Sequence, residues 1–478
     1  MTGSSPSVDV VIPYYRDQPM LDRILASLQA QEGLDGAGPA GAGLEGTGLE
    51  SAGLEGTGPV GAPRVIVADD GSPEPPQVPA GVTVVRQSDE GFRASAARHL
   101  GARAGSGDIL LFLDGDTVPG PGYVAAMLTA LAGQPDLLVV GRRRYGRFTA
   151  TGSEVSEVLA DPPWPASFYA ETADLTRGDD LWRGVLSAAF GLHRRLYDLA
   201  GGFDPEFVGY GGEDWDLAWR CEQVGGRLLH VPDAVAWHDG PDWAGRATEY
   251  GGRHCAADPH RPGPCDGPAE PEDHLAEKNA ETARLAPVIA SPATRAPGGI
   301  FALPEISAHI HASGPAFAGS GSVAATIASV LTWGDVAVGI DPGSVDADLI
   351  AEMFAADPRV FAGPDTGSGP HSRWGSPDGQ HDGPRRRPPV LVDIHHPCAL
   401  AGLDARRLRA LCPPAGAVGL AHRDGCVLAT IRSSRSVARE QFWGEEPPPA
   451  TSVPASTVGV TAFEPGRALR LEQALGGW

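Results

Sequence analysis

The chain has 478 residues, enough for about two or three domains, and hydrophobic residues make up 42% of it, which is sufficient for substantial cores. Asp and Glu outnumber Lys and Arg by 60 to 37, and the resulting net charge of −23 argues against binding to nucleic acid or to anionic membranes. No signal-peptide pattern opens the sequence, and no apolar run approaches the roughly 18 residues of a membrane span. With six cysteines spread thinly, we expect a cytoplasmic protein without an integral membrane segment.

The first half of the chain alternates predicted strands and helices. Short apolar runs predict strands at residues 8–12, 65–68, 82–85 and 109–113. Apolar residues at helical spacing between residues 20 and 28 predict a helix after the first strand, and a second helix is predicted over about 93–104. This alternation predicts an α/β fold with a mostly parallel sheet flanked by helices, which binds ligands at the carboxyl ends of its strands.

Two segments are predicted to lie outside compact domains. A Gly-rich ten-residue unit begins at Ala42 and repeats from Ala52, so residues 33–63 are predicted to be a flexible insertion. Residues 251–303 are rich in Pro, Gly and charged residues and are predicted to be a linker. These boundaries predict a first domain over residues 1–250 and a smaller α/β domain over 304–478.

The first candidate site follows the apolar run at residues 109–113. Asp114, Gly115 and Asp116 come directly after it. One of these carboxylates can bind a divalent cation that bridges to phosphate oxygens of a ligand, while the other faces a sugar or a water molecule. Acidic turns after strands are also common for purely structural reasons, so this motif alone leaves both interpretations open.

A second acidic cluster lies in the segment GYGGEDWD at residues 209–216. An apolar face follows it, so Glu213 and Asp214 fall in the first turn of a predicted helix, where the helix dipole favours ionised carboxylates. The cluster suits a helix cap and equally a general base, which must be ionised to accept a proton. Downstream, residues 234–238 predict a strand ending at His238, whose imidazole can complete a metal site with an aspartate.

Several sequence motifs occur in this region in an order that is typical of one protein family. They are IPYYRD from Ile12, VADDGSPE from Val67, EGFRASAARHLGA from Glu90, LFLDGDTVP from Leu111, and residues 184–220, which end in GYGGEDWDLAWR. Residues 8–245 therefore resemble a family 2 glycosyltransferase of the GT-A fold, the fold of nucleotide-diphospho-sugar transferases. The last motif is similar to the carboxyl-terminal motif of β-1,4-galactosyltransferases, in which GWGGED is typical.

The resemblance implies a role for each matching residue. The donor nucleotide and ribose would be bound by Pro13, Tyr15, Asp69 or Asp70, Arg93 and Asp114. Asp116 and His238 would hold Mn²⁺ or Mg²⁺ against the diphosphate, and Asp214 would be the catalytic base. Tyr210, Glu213 and Trp215 would contact the transferred sugar or the acceptor. Tyr210 and Trp215 depart from the galactosyltransferase motif, which has Trp and an acidic residue there, so the identity of the acceptor stays open.

The main hypothesis is a hexosyltransferase-like, inverting and metal-dependent glycosyltransferase. It would move a sugar from a nucleotide sugar, with a UDP-sugar as the expected donor, to a glycan, lipid-linked or small-molecule acceptor. A non-catalytic sugar-binding or scaffold protein of the same fold is the alternative. A nucleotidyltransferase is the third candidate, but it usually needs a lysine for the triphosphate, and the only lysine, Lys278, lies in the predicted linker.

The second half faintly echoes the same family. A helix, a strand and a helix are predicted at residues 324–331, 336–340 and 348–354, with Asp341 where the base-binding aspartate would fall. His395 and His396 stand where a DxD motif would follow the strand at 390–394, and a solvated strand end is favoured there over a metal site. We therefore predict a degenerate, non-catalytic GT-A-like accessory domain.

One further group of residues invites a metal interpretation. His254, Cys255, His260 and Cys265 lie close together in the predicted linker. Their spacing is not that of a Cys-x-x-Cys knuckle, and a clear fourth ligand is missing, so the pattern does not decide whether zinc binds there.

Overall fold

The computed structural model describes residues 6–34, 62–149, 152–240, 271–296, 298–363 and 386–475. Most of the predicted insertion at 33–63 and all of the segment 254–265 lie outside these ranges. The chain divides into two compact units, Met1–Glu222 with Gly226–Arg284 and Gln223–Gly225 with Leu285–Trp478. Within the described ranges, no helix is both long and apolar enough to cross a membrane.

The first unit is built around one mixed sheet with helices. Its described strands are β1 (Val8–Tyr14), β2 (Arg64–Asp69), β3 (Thr83–Arg86), β4 (Ile109–Leu113), β5 (Thr117–Pro119), β6 (Leu137–Phe148), β7 (Val155–Val158), β8 (Ala189–His193) and β9 (Arg227–Asp239). Its described helices are α1 (Gln18–Gln29), α2 (Ala94–Ala104), α3 (Tyr123–Leu131), α4 (Pro163–Glu171), α5 (Arg194–Ala200), α6 (Glu213–Gln223) and α7 (Pro271–Leu285). The predicted α/β class is confirmed.

The order of the strands places the acidic motifs at one edge of this sheet. The order is β3-β2-β1-β4-β8-β6-β9-β5, with β7 beside β6. Strands β1 to β4 run parallel, and β8 is antiparallel to β4 and β6. Because the central parallel strands are covered on both faces, they are continuous apolar runs, as in the fully buried strand β4. Their carboxyl ends meet at one edge, where open α/β sheets bind ligands.

The second unit contains a similar sheet. Its described strands are β10 (Ile306–Ile310), β11 (Val336–Ile340), β12 (Val360–Ala362), β13 (Val390–Ile394), β14 (Cys398–Ala399), β15 (Val418–Ala421), β16 (Val427–Ser433), β17 (Thr451–Pro454) and β18 (Thr461–Ala462). Its described helices are α8 (Ser322–Val330), α9 (Ala347–Met353), α10 (Ala405–Leu411), α11 (Ser434–Trp443) and α12 (Leu471–Ala474).

The order of strands in the second sheet repeats part of the first. It is β12-β11-β10-β13-β16-β15-β17, while β14 and β18 form a separate pair. Strands β10 to β13 are parallel and β16 is antiparallel to β13. This matches the order and direction of β3-β2-β1-β4-β8 in the first unit. A degenerate GT-A-like domain stays a prediction that this repeat supports.

The helix α7 lies inside the segment 251–303, which the sequence predicts to be a linker. The Pro- and Gly-rich composition that drives that prediction ends near residue 271. Residues 275–285 are mostly Leu, Ala, Glu, Lys and Arg, which are good helix formers, so the end of this segment folds. From Leu285 onward the chain belongs to the second unit.

Candidate active site

Two predicted metal ligands meet where β5 pairs with β9. His238 lies opposite Thr117 in this antiparallel pair, and Asp116 immediately precedes Thr117. Nε2 of His238 lies 3.1 Å from Oδ2 of Asp116. The imidazole is fully buried, while the Asp116 side chain is 47% exposed, so the pair is open on the carboxylate side.

The other nitrogen of the His238 ring faces a backbone carbonyl group. Nδ1 lies 3.3 Å from the carbonyl oxygen of Gly240, to which it can donate a hydrogen bond. Histidines that bind metals commonly use such a backbone carbonyl to orient the ring. Nε2 is then the nitrogen that faces Asp116, so the pair offers one nitrogen and one oxygen ligand.

The turn between β4 and β5 requires glycine at its centre. A Cβ atom at Gly115 would lie 2.6 Å from the carbonyl oxygen of Pro13, too close for any side chain. The backbone N–H of Thr117 donates to the carbonyl oxygen of Asp114 at 3.1 Å and closes the turn. This close approach places the two aspartates at the end of β1, next to Pro13.

A buried arginine joins the two acidic motifs. Arg98 of α2 is only 4% exposed; it forms an ion pair with Asp114, and its Nη1 lies 2.9 Å from Oε1 of Glu213. Burial lowers the pKa of Arg98, but the two carboxylates outweigh burial and raise the pKa above its ordinary value. Asp114 and Glu213, for which the resemblance implies direct ligand contacts, are thus both bound to a permanently charged guanidinium.

Asp214 lies in the first turn of α6, beside this network. Its Oδ2 accepts a hydrogen bond from the N–H of Ser187 at 3.0 Å, and its Oδ1 accepts one from the N–H of Trp215 at 2.8 Å. Burial, followed by the charge of Glu213, raises the pKa of Asp214 to about 7, although these hydrogen bonds and Arg98 lower it. A partly exposed carboxyl group with this pKa can accept a proton near neutral pH.

Two aromatic residues flank Asp214 along the chain. Tyr210 is 54% exposed, and its ring centroid lies 6.2 Å from that of Phe92. Trp215 packs edge-to-face against the buried Trp182, with ring centroids 5.5 Å apart. The exposed ring of Tyr210 therefore presents an apolar face close in sequence to Asp214.

The glycine loop before Asp214 rests on helix α7. Nη2 of Arg284 donates to the carbonyl oxygen of Tyr210 at 2.6 Å. Gly211 has a φ of +88°, and a Cβ there would lie 3.2 Å from the carboxyl carbon of the buried Glu281. Nζ of Lys278 lies 2.6 Å from Oε2 of Glu281. The helix thus supports the loop through backbone and carboxylate contacts.

Three residues of the site, Arg98, Glu281 and Arg284, are not among those predicted from the sequence. Arg98 lies inside the motif EGFRASAARHLGA, but its helical position alone does not show which carboxylates it reaches. Glu281 and Arg284 lie in the predicted linker, where the helix-forming composition was the available signal.

The predicted nucleotide-binding residues lie at the carboxyl ends of β1 and β2. The Tyr15 hydroxyl donates to Asp89 at 3.4 Å. Asp69 and Asp70 are both buried. Oδ1 of Asp69 accepts a hydrogen bond from the N–H of Ser72 at 2.9 Å, so this carboxylate orders the loop after β2. The structure brings these residues to the same edge of the sheet as Pro13.

Arg93 contributes to the same edge through its backbone. Its N–H donates to Oδ2 of Asp70 at 2.8 Å. Its guanidinium forms an ion pair with Glu90, and Nη2 lies 3.4 Å from the carbonyl oxygen of Pro205. The contact of Arg93 with a nucleotide stays a prediction, and the described contacts tie its side chain to the protein.

Comparison with known proteins supports the resemblance. Residues 9–191 match the family model described as Glycosyl transferase family 2. Validoxylamine A glucosyltransferase of Streptomyces hygroscopicus subsp. limoneus is 29% identical over 252 residues, which are 47% of this chain and 49% of that protein. Hyaluronan synthase of Pasteurella multocida is 27% identical over 207 residues, 37% of this chain and 21% of that protein. The chain thus spans about half or less of the length of these relatives.

A solved structure of GalNAc-T7 with UDP, GalNAc and Mn²⁺ is also similar, with a TM-score of 0.33 and 16% identity over 49% of this chain and 44% of that chain. The family match confirms the resemblance to family 2 glycosyltransferases for residues 9–191. The galactosyltransferase-like motif at 209–216 lies outside the matched residues and stays a prediction.

Proposed function

We propose that the first unit is an inverting glycosyltransferase that moves a sugar from a nucleotide sugar to a hydroxyl group. The observation that carries this proposal is the meeting of Asp116 and His238, 3.1 Å apart at the sheet edge, in a unit that also holds Asp214 with a pKa of about 7. The match of residues 9–191 to family 2 glycosyltransferases supports the same chemistry.

A divalent cation is part of this proposal because the residues present fit one. Asp116 and His238 offer an oxygen and a nitrogen ligand, and the carbonyl oxygen of Gly240 orients the imidazole. Mn²⁺ or Mg²⁺ bound there would stabilise the negative charge that grows on the departing nucleoside diphosphate. The need for a cation is greater in a chain whose net charge is −23.

The proposed reaction is a single displacement at the anomeric carbon. The acceptor oxygen forms a bond to this carbon while the bond to the diphosphate oxygen breaks on the opposite face, so the anomeric configuration is inverted. Asp214 takes the proton of the acceptor hydroxyl. The N–H groups of Ser187 and Trp215 hold the carboxylate in orientation, and Arg98 fixes its neighbour Glu213.

The donor and acceptor are assigned by position. We propose a UDP-sugar as donor, with its base and ribose along the ends of β1 and β2 beside Pro13, Tyr15, Asp69 and Asp70. Tyr210 and Trp215 are proposed to contact the sugar or the acceptor, which is a glycan, a lipid-linked sugar or a small molecule. Aromatic rings near the proposed catalytic base Asp214 can pack against the apolar faces of sugar rings.

The test is the release of nucleoside diphosphate by the purified full chain, supplied with Mn²⁺ and a panel of UDP-, GDP- and other nucleotide sugars, with and without candidate acceptors. We expect the parent chain to release UDP slowly from one UDP-sugar without acceptor. Asp116→Ala should release none. Asp233→Asn, an exposed carboxylate on the same strand as His238, is the matched control and should keep full activity. Nucleotide-sugar binding without any turnover would favour the scaffold alternative, and full turnover by Asp116→Ala would refute the metal assignment.

A further inference from the structure

We propose that the second unit binds a divalent transition-metal ion between His309, His311 and Asp341. His309 lies in β10, His311 follows that strand, and Asp341 directly follows the parallel neighbour β11. One ligand atom from each side chain lies within 4.8 Å of the other two. Among the residues that the structure describes, this is the one group of three His, Cys, Asp or Glu side chains that meets this condition.

The ligand atoms converge from different directions. Oδ1 of Asp341 lies 2.8 Å from Nε2 of His309, and Oδ2 lies 3.9 Å from Nδ1 of His311. The two imidazole planes are inclined by 78°, with ring centroids 4.7 Å apart. Ligands at about 2.1 Å from a tetrahedral ion are about 3.4 Å from each other. No separation between these atoms therefore has to change by more than about 1.4 Å to match those around a bound ion.

The other nitrogen of His311 has the partner that metal-binding histidines commonly have. Nε2 lies 3.3 Å from Oδ1 of Asp393, near the end of β13. A carboxylate that accepts a hydrogen bond from one imidazole nitrogen directs the other toward the metal and increases its basicity. The His311 ring is also stacked on His395, with ring centroids 5.0 Å apart. His311 is thus oriented from two sides.

Further contacts hold Asp341 and His309 in the cluster. Oδ2 of Asp341 accepts a hydrogen bond from the hydroxyl group of Ser313 at 2.9 Å, and Oδ1 faces Nε2 of His309 at 2.8 Å. Nδ1 of His309 is buried and has no hydrogen-bond partner among the described residues. Nε2 of His309, which lies 2.8 Å from Oδ1 of Asp341, is the nitrogen that this ring can offer to an ion together with the carboxylate.

The position and chemistry of the cluster favour some metal ions over others. It lies at the carboxyl ends of parallel strands, the edge at which open α/β sheets bind ligands. Mg²⁺ and Ca²⁺ prefer oxygen ligands throughout, whereas two imidazoles and one carboxylate suit Zn²⁺, Co²⁺ or Ni²⁺. All three side chains are partly exposed, so water can occupy the remaining coordination position.

The test measures Zn²⁺ binding by the full chain in a background that removes the other candidate sites. This background carries Asp116→Ala, His238→Ala, Cys255→Ser and Cys265→Ser, so it does not depend on whether the first unit is a transferase. We expect one Zn²⁺ per chain in equilibrium dialysis, and Co²⁺ should give visible absorption without thiolate charge-transfer bands. His309→Ala with His311→Ala should abolish both signals, and Asp393→Asn should weaken binding roughly tenfold or more.

The control is His422→Ala, because His422 belongs to the same unit but pairs with Asp424 at 3.0 Å outside the cluster. This variant should bind Zn²⁺ like the background chain. Circular dichroism before metal addition establishes that each variant is folded, and Asp341→Asn offers a second, milder change that should also weaken binding. Absence of Zn²⁺ from the background chain, or unchanged binding after His309→Ala with His311→Ala, would overturn the proposal.

Discussion

Replacing Arg98 by Met tests whether the buried arginine organises the acidic site. The substitution keeps a long unbranched side chain but removes the charge that is paired with Asp114 and Glu213. The side chains of these carboxylates are only 21% and 9% exposed. Removing one partner of a buried ion pair costs about 3–5 kcal/mol, because the remaining charge is left poorly hydrated. Since two carboxylates lose their partner, we expect the free energy of unfolding to fall by an amount in this range.

The same substitution should change the titration of Asp214. The charge of Arg98 lowers the pKa of Asp214, against burial and Glu213, which raise it to about 7. Without Arg98 this pKa should rise further, so the acid limb of kcat/KM should move to higher pH. The double variant Arg98→Met with Glu213→Gln removes one of the two stranded charges and should recover part of both losses.

Urea unfolding and a pH–rate profile measure these two effects. Arg194→Met is the matched control, since Arg194 pairs with the buried Asp9 at the amino end of β1, at 2.9 Å. It should lower the stability without moving the pH profile. A loss below about 1 kcal/mol for Arg98→Met, the range of a surface ion pair, would show that Arg98 does not compensate two buried carboxylates. An equal pH shift in Arg194→Met would refute the effect of Arg98 on Asp214.

Three further predictions concern single residues. Asp214→Asn should abolish transfer. Because the native pKa of Asp214, about 7, exceeds its unfolded value, the parent chain should lose stability as pH rises from about 4 to 7, and Asp214→Asn should not show this loss in urea unfolding. An unchanged pH dependence of stability in the variant would contradict this. Gly211→Ala should lower the melting temperature and kcat, because φ is +88° and the new Cβ meets Glu281; wild-type values for both would refute the role of the loop. His238→Gln should raise the Mn²⁺ concentration for half-maximal rate, measured by titration against Asp233→Asn, and equal titrations would exclude His238 as a ligand.

The predicted elements agree with the structure where local patterns dominate. The run Ile109–Leu113 is continuous and apolar because β4 is buried on both faces, so its sequence alone identifies a central strand. The helix predicted between residues 20 and 28 buries the same apolar residues that defined its periodicity. The family resemblance predicts that Asp116 and His238 lie together, and the pairing of β5 with β9 brings them together.

What the sequence could not predict depends on packing between distant segments. In the sequence, Arg98 is simply a polar residue of a predicted helix. Its two partners, Asp114 and Glu213, are determined by the packing of α2 near the end of β4 and the start of α6. The support of Gly211 by Glu281 requires the position of α7, which begins at Pro271 in the segment that the sequence predicts to be a linker. The cluster in the second unit had a local signal, since the i, i+2 spacing of His309 and His311 places both on one face of an extended chain. Asp341 joins them only through the parallel pairing of β10 and β11.

The anomeric configuration of the product decides whether the first unit is an inverting glycosyltransferase. Proton NMR would follow sugar transfer from the donor identified in the panel of nucleotide sugars. The parent chain and Asp214→Asn would be compared at pH 8 with Mn²⁺. Binding of the nucleotide sugar would be measured for both. We expect a product of inverted configuration from the parent chain, and no product from Asp214→Asn although this variant still binds the donor. Retention of configuration, or full turnover by Asp214→Asn, would contradict it.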